Sequence, residues 1–353
     1  MENFRQILSE IKGLDQNAMK AARIHQDRLT KPRGSLGRLE DLAVQIAGIT
    51  GKLHPGVDKK RIVLFVGDHG VTRQGVSAYP REVTAQMVKN FLAGGAAINA
   101  LASVARADVE VVDIGVDHDF GEIKGLVSRK VARGTKDIAV GPAMSKKELE
   151  DAIAVGMERA ESAFADGVNL LATGDMGIGN TTASSALFAA YLDQAPENVT
   201  GRGTGIDDHF LERKIRVVEM ALKVNQRFLS DPILTLMALG GVEIAGICGM
   251  ILGAARRRIP IVIDGFISSA AALAAIRMNP ILKEYLIFGH LSEERGHRVL
   301  FDRLDLRPVL ALDMRLGEGT GAALAMIIIE GAIRAHNQMA TFQSAGVTDK
   351  AEE

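Results

Sequence analysis

The chain has 353 residues, with 42 Lys and Arg against 43 Asp and Glu, a formal net charge of −1. Hydrophobic residues make up 47% and charged residues 24%, which excludes a disordered chain, and the even charge gives no footprint for nucleic acid or an acidic membrane, so neither partner is expected. The single cysteine, Cys248, excludes an intrachain disulfide and any cysteine-based zinc site, and it suits a cytoplasmic protein.

In chain order, the first 55 or so residues read as helical. Met1 to Lys12 mixes acids and bases with apolar residues, so no signal peptide is expected there. The first apolar run is Arg61–Val66. A helical pattern over Glu82–Ala93 precedes a second run, Val109–Ile114. A long helical pattern, Lys146–Ala165, leads into Val168–Thr173, and another covers His209–Phe228. Pro232–Ala255 carries Glu243 as its only charge and is long enough to imitate a membrane span. Its opening proline, its five glycines and the central carboxylate favour one buried helix with small residues for close packing. Ile259–Asp264 is the fourth run, followed by a helical Ile267–Arg277, then Tyr285–Phe288 and Pro308–Asp313. Gly321–His336 closes the pattern as a helix.

Most of the six runs are rich in Val, Ile or Leu without alternation, as expected of strands covered on both faces. Strand then helix, repeated, predicts an α/β fold with a mainly parallel six-stranded sheet and helices on both faces. Residues 1–55 together with 322–353 are expected to form a small helical domain, and 56–321 a large α/β domain.

Each run stops at a polar or glycine-rich turn. In an open α/β sheet, ligands bind beyond the carboxyl ends of the strands, so these turns converge on one edge. They include Gly67-Asp68-His69-Gly70, Asp264-Gly265 and Gly289-His290-Leu291-Ser292. Two turns suit a phosphate. In Gly174–Thr182 a glycine turn gives way to Asn180, Thr181 and Thr182 at a helix start, where free N–H groups meet an anion. Gly201–Gly205 is the second. Neither is a Walker A loop, and neither fits the dinucleotide fingerprint.

Glu318 stands between Gly317 and Gly319, after an apolar run and before an apolar helix. That setting suits either a general base of raised pKa or an acid favoured by a helix N-terminus. Asp68 and His69 hint at a metal, but no third ligand has diagnostic spacing, so no metal or cofactor is expected. Asp175, Lys214 and Asp264 are further candidates. Cys248 reads as a packed thiol rather than a nucleophile.

Several motifs occur here in one order: Lys31-Pro32-Arg33-Gly34-Ser35-Leu36-Gly37-Arg38-Leu39-Glu40, Gly67-Asp68-His69-Gly70-Val71, and Gly177-Ile178-Gly179-Asn180-Thr181-Thr182. Leu316-Gly317-Glu318-Gly319-Thr320-Gly321 and Met339-Ala340-Thr341-Phe342 follow. Together, from Leu29 to Val347, they resemble the nicotinate-nucleotide–dimethylbenzimidazole phosphoribosyltransferase family. The resemblance implies a Rossmann-like sheet, a small helical domain from both chain ends, and a homodimer. It also implies transfer of the 5-phosphoribosyl group of nicotinate mononucleotide to 5,6-dimethylbenzimidazole, for the cobalamin lower ligand. The products would be α-ribazole 5′-phosphate and nicotinate. Glu318 matches the family's catalytic glutamate. The phosphate is expected at Gly177, Gly179, Asn180 and Thr181 and at Gly203 and Gly205, with Asp264 and Gly265 nearby. The flat base is expected against Tyr79, Pro80, Gln86, Met87 and Leu316. Where the family commonly has Glu before Met-Gly-Ile-Gly-Asn, this chain has Asp175, one methylene shorter. Any contact of that carboxylate with the nucleotide, or with Lys214, would then differ in geometry.

Two other classes compete on the residues alone. A nicotinamide-dinucleotide dehydrogenase would share the sheet, but no G-x-G-x-x-G follows the first strand. A nucleotide sensor without turnover would not need a base at Glu318.

Overall fold

The computed structural model describes residues 2–349 apart from Thr204 and Ile206. Three helices open the chain: α1 (Glu2–Glu10), α2 (Gln16–Arg28) and α3 (Arg38–Thr50). Strand β1 (Lys60–Gly67) is followed by α4 (Val83–Ala93), α5 (Ala97–Ala105), β2 (Ala107–Gly115) and the short β3 (Leu126–Ser128). Helix α6 (Lys146–Ala165) leads into β4 (Leu170–Met176). A helical run then comprises α7 (Asn180–Leu192), α8 (Pro196–Val199), α9 (Asp208–Val224), α10 (Pro232–Leu239) and α11 (Val242–Arg256). The rest is β5 (Ile261–Ile263), α12 (Phe266–Met278), β6 (Leu286–Phe288), β7 (His290–Leu291), α13 (Arg295–Leu304), β8 (Leu310–Ala311), α14 (Thr320–Gln338) and α15 (Phe342–Ala345).

Capping chemistry sets many helix starts. Ser145 accepts from Glu148 N while Ser145 N donates to Glu148 Oε2 at 2.6 Å, a reciprocal box that begins α6 where the periodicity placed it. Asp207 caps α9, and Asp231 caps α10 ahead of Pro232.

The strands form one six-stranded sheet in the order β3-β2-β1-β4-β5-β6, and every pairing is parallel. Alternate residues of each strand face opposite helical layers. Val63, Phe65, Val112, Leu171 and Ile263 meet the layer that includes α6, α7, α11 and α12. Ile62, Leu64, Val66, Val111 and Ala172 meet the other, which contains α3, α4, α5 and α14. This is why the runs read as continuous rather than alternating: both faces are dry.

The six-strand expectation holds in number but not in membership. Pro308–Asp313 is not in the main sheet. Only Leu310 and Ala311 pair there, with His290 and Leu291, in a separate two-stranded ribbon. The place is taken by Leu126–Ser128, which borders the end of β2. Three residues in a polar stretch carry too short a pattern to be read.

Pro232–Ala255 is likewise two buried helices, not one. Gly240 and Gly241 adopt extended backbone between them. The expected small-residue packing is present in the second. A Cβ on Gly253 would lie 2.6 Å from the Ala160 Cβ of α6, and a Cβ on Gly156 would strike the Gly246 carbonyl.

The chain ends meet as well. Leu29 bridges to Thr341, and Thr30 N donates to Ala340 O at 3.0 Å, while Lys60 of β1 pairs with Glu330 of α14. Helices α3 and α14 nevertheless share the sheet's own core, through Leu42, Ile46, Met326 and Ile329.

Candidate active site

The chain leaves β1 for β2 on one side and returns to β4 on the other, so the order reverses between β1 and β4. A crevice opens there, beyond the strand ends. Two glycines of β4 and its turn permit the close approaches this requires. A Cβ on Gly177 would strike the Gly67 carbonyl of β1. A Cβ on Gly174 would lie 2.7 Å from the Glu318 carbonyl.

A cleft of about 710 Å³ occupies this edge. Its carboxylate end is built on the turn before α14. Glu318 holds a left-handed backbone (φ 62°), a conformation that costs a non-glycine residue about 1–2 kcal/mol. Its own N–H donates to Asp175 O at 3.2 Å, which ties the turn to β4. Asp264, at the end of β5, reaches across to cap α14. Its Oδ2 accepts from Gly319 N at 3.1 Å and its Oδ1 from Ala322 N at 2.9 Å. Glu318 is buried and lines the cleft, with Oε2 accepting from Ile98 N at 3.4 Å. Burial raises its pKa, the Ile98 amide opposes the rise, and the charge of Asp264 adds to it.

Asp175 also lines the cleft. Burial pushes its pKa well above the usual carboxylate range, with Asp264 and Glu243 adding to the rise. Its oxygens accept from Asn180 Nδ2 at 3.1 Å and Ser268 Oγ at 3.4 Å. Lys214 is held elsewhere, so among the described residues the two form no ion pair. Behind them, His69 and Glu243 form a fully buried pair at 2.6 Å. Asp68 accepts from Asp117 N at 2.8 Å and lies 3.6 Å from Arg81.

The opposite end is built on the start of α7. Helix α7 begins at Asn180 behind a left-handed Gly179 (φ 95°), and Asn180, Thr181 and Gly177 face the cleft. Lys214, on α9, is buried beside them. Its Nζ donates to Thr181 Oγ1 at 2.9 Å and Gly201 O at 3.1 Å. Burial lowers its pKa to about 8, against the opposing pull of Glu294. Glu294 in turn accepts from Gly203 N at 2.8 Å, and Gly203 and Gly205 complete this end of the lining.

Between the ends stand Tyr79, Val83, Met87 and Leu316. Tyr79 is 55% and Leu316 57% exposed, an apolar rim that a flat ring would cover.

The structure therefore gathers Glu318, Asp175, Gly177, Asn180, Thr181, Gly203, Gly205, Gly265, Tyr79, Met87 and Leu316 around one cleft. Lys214 and Asp264 stand directly behind it, positioning its lining. Gly179 packs against Thr72 and His69 as the helix cap, with a Cβ there 2.9 Å from Thr72. Pro80 is not part of the lining, and Gln86 faces a neighbouring depression with Asp68, Arg81 and Asp117. His290 and Ser292, from the turn the sequence places at this edge, also line the cleft, and so does Glu294, which no motif marks. The turn after β6 was the signal for the first two. His297 fixes that turn: its Nδ1 accepts from Ser292 N at 2.8 Å, and burial lowers its pKa to about 3.

The phosphoribosyltransferase family profile matches residues 11–347. A protein of Prosthecochloris aestuarii named nicotinate-nucleotide–dimethylbenzimidazole phosphoribosyltransferase is 53% identical over 350 residues, spanning 99% of each chain. One of the same name from Chloroflexus aggregans is 55% identical over 352 residues, spanning 100% of each chain. A solved structure bearing that enzyme name, from Thermus thermophilus, superposes with a TM-score of 0.89 at 45% identity, covering 96% of this chain and 100% of that one. The chain belongs to the nicotinate-nucleotide–dimethylbenzimidazole phosphoribosyltransferase family.

Proposed function

We propose that the cleft transfers the 5-phosphoribosyl group of nicotinate mononucleotide to 5,6-dimethylbenzimidazole, giving α-ribazole 5′-phosphate and nicotinate. The observation that carries this reading is Glu318. A buried carboxylate of raised pKa is held, at a cost in backbone strain, between an apolar rim and an anion-friendly helix start.

The nucleotide phosphate is assigned to the start of α7 and to Gly203 and Gly205, with Lys214 supplying positive charge from behind. The benzimidazole is assigned to the rim of Tyr79, Met87 and Leu316. Glu318 takes the proton from one ring nitrogen while the other attacks C1′. The bond from C1′ to the pyridine nitrogen breaks, its electron pair neutralises the pyridinium, and nicotinate leaves. Attack from the face opposite the leaving group inverts the β anomer to α. A positioned base of this kind contributes about 10²–10⁴-fold, and holding both rings in line contributes further. Asp264 positions Glu318 by fixing the turn that carries it.

In this reading residues 56–321 carry the catalytic unit, and the chain ends, 1–55 and 322–353, buttress it. The protein is assigned to the cytoplasm and to a homodimer. Exposed apolar side chains on α9, Met220 and Val224, suit a second copy.

The test is a mass-resolved assay of purified protein with nicotinate mononucleotide and a panel of benzimidazoles, adenine and phenols. A riboside phosphate of the α configuration, with one nicotinate released per product, supports the reading and names the preferred base. A folded protein that binds the nucleotide but yields no product with any base would be a sensor instead.

A further inference from the structure

Away from the cleft, the chain ends bring three histidines together. His25 lies on α2, His54 in the loop after α3, and His336 near the end of α14. One ring nitrogen or the other from each lies within 4.8 Å of its counterparts in the other two. The ring centroids are 4.7 Å apart for His25 and His336 and 5.0 Å for His25 and His54. His336 is buried, His25 half-buried and His54 exposed. The three are so distant in sequence that no ligand spacing announces them.

Their hydrogen bonds decide the tautomers. Carbonyl oxygens only accept, so the nitrogens facing them carry protons. His25 Nε2 donates to His336 O at 2.8 Å, and His336 Nε2 donates to Leu53 O at 2.8 Å. Asn337 Nδ2 donates to Pro55 O at 2.9 Å, which fixes its amide, and its Oδ1 accepts from His54 Nδ1 at 3.3 Å. Each ring thus commits one N–H to an outer acceptor and keeps one lone pair: Nδ1 of His25, Nε2 of His54 and Nδ1 of His336. Histidines that ligate metals are held in this way.

A fourth donor is at hand. Gln26 Nε2 lies 2.9 Å from His336 Nδ1, while Gln26 Oε1 is buried without a partner. Without an ion the Gln26 amide donates to the Nδ1 lone pair; with an ion between them, turning the amide over gives the orphaned oxygen the metal as its partner. We propose that His25, His54 and His336, with the Gln26 carbonyl oxygen, form a site for a divalent transition metal of the zinc class. Imidazole suits such ions, and bonds of about 2.0–2.1 Å in a tetrahedron set the donors roughly 3.3 Å apart. One nitrogen of each ring lies within 4.8 Å of the others, and binding would draw them in to that spacing. The ion would join α2, the loop after α3 and α14, so it would act as a clip between the two chain ends.

The test uses the full chain without an affinity tag, stripped with a chelator and titrated with zinc chloride alone. Calorimetry and metal analysis should give one zinc per chain, with Tm rising as zinc is added. His54→Ala and, separately, His25→Ala should weaken binding at least about tenfold, because losing even an outer partner costs about 10–100-fold. His54 is exposed, so its variant should keep the Tm and the transfer rate of the stripped wild type. No saturable uptake by the wild type, or equal uptake by both variants, would overturn the proposal.

Discussion

Two helices begin at the cleft with the same backbone and opposite chemistry. Both α7 and α14 start behind a left-handed glycine, Gly179 (φ 95°) and Gly319 (φ 92°), with no side-chain cap of their own. At α14 the vacancy is filled from another strand: the Asp264 carboxylate takes the N–H groups of Gly319 and Ala322. At α7, among the described residues, no carboxylate takes the first-turn N–H groups, and the end opens on the cleft beside Lys214. One helix start is therefore capped by a carboxylate. At the other, Asp175 meets only the Asn180 side chain, and Lys214 lies alongside. In the proposed reading the same local geometry sorts the substrate, with the phosphate assigned to α7 and the base chemistry to the Glu318 turn.

The largest expected effect lies at the closed end. Glu318→Gln should lower turnover by about 10²–10⁴-fold with the nucleotide Kd nearly unchanged. Comparable loss of nucleotide affinity in a binding assay would erase the division between the two ends. Asp264→Asn should come next. Its amide nitrogen would face a backbone N–H, so unfolding in urea should show a loss of about 1–3 kcal/mol. Removing that charge should also lower the Glu318 pKa, since Asp264 is one of its causes.

At the open end, Gly203→Ala is the sharper probe. Gly203 has φ 52°, and a Cβ there would lie 2.7 Å from Thr181 Oγ1 and 3.0 Å from Lys214 Nζ. The KM for nicotinate mononucleotide should rise about tenfold with kcat little changed, as strain of about 1–2 kcal/mol predicts. The Lys214 charge gives the open end its pH dependence. The ammonium is present below about 8 and lost above it, so kcat/KM for the nucleotide should fall as pH rises through that value. A kcat/KM flat through alkaline pH would remove Lys214 from phosphate binding. The smallest effect concerns strain: Glu318→Gly should raise stability by about 1 kcal/mol, read as a higher Tm, while lowering turnover about as much as Glu318→Gln.

The sheet was legible because strands buried on both faces leave near-continuous apolar runs, as β1 and β4 do. Leu126–Ser128 was not, because three residues next to polar turns carry no period. The break at Gly240–Gly241 was hidden by apolar residues on both sides. At the site, the glycine turns and Glu318 were legible as local motifs. Asp264 as the cap of α14, and His297 as the support of the Ser292 turn, were not, because both act through partners far along the chain. The separation of Asp175 from Lys214 likewise arises only in the fold. Each has its own partners, Asn180 and Ser268 for one, Thr181 and Gly201 for the other.

If Glu318 is the base, the single-turnover rate follows its ionisation as pH changes. In the wild type the rate should fall with acid along a limb whose pKa lies above the ordinary value of about 4.3, because the raised carboxylate must be ionised to accept the proton. In Glu318→Gln that limb should vanish from a much slower reaction. The same limb in wild type and variant would remove Glu318 as the base.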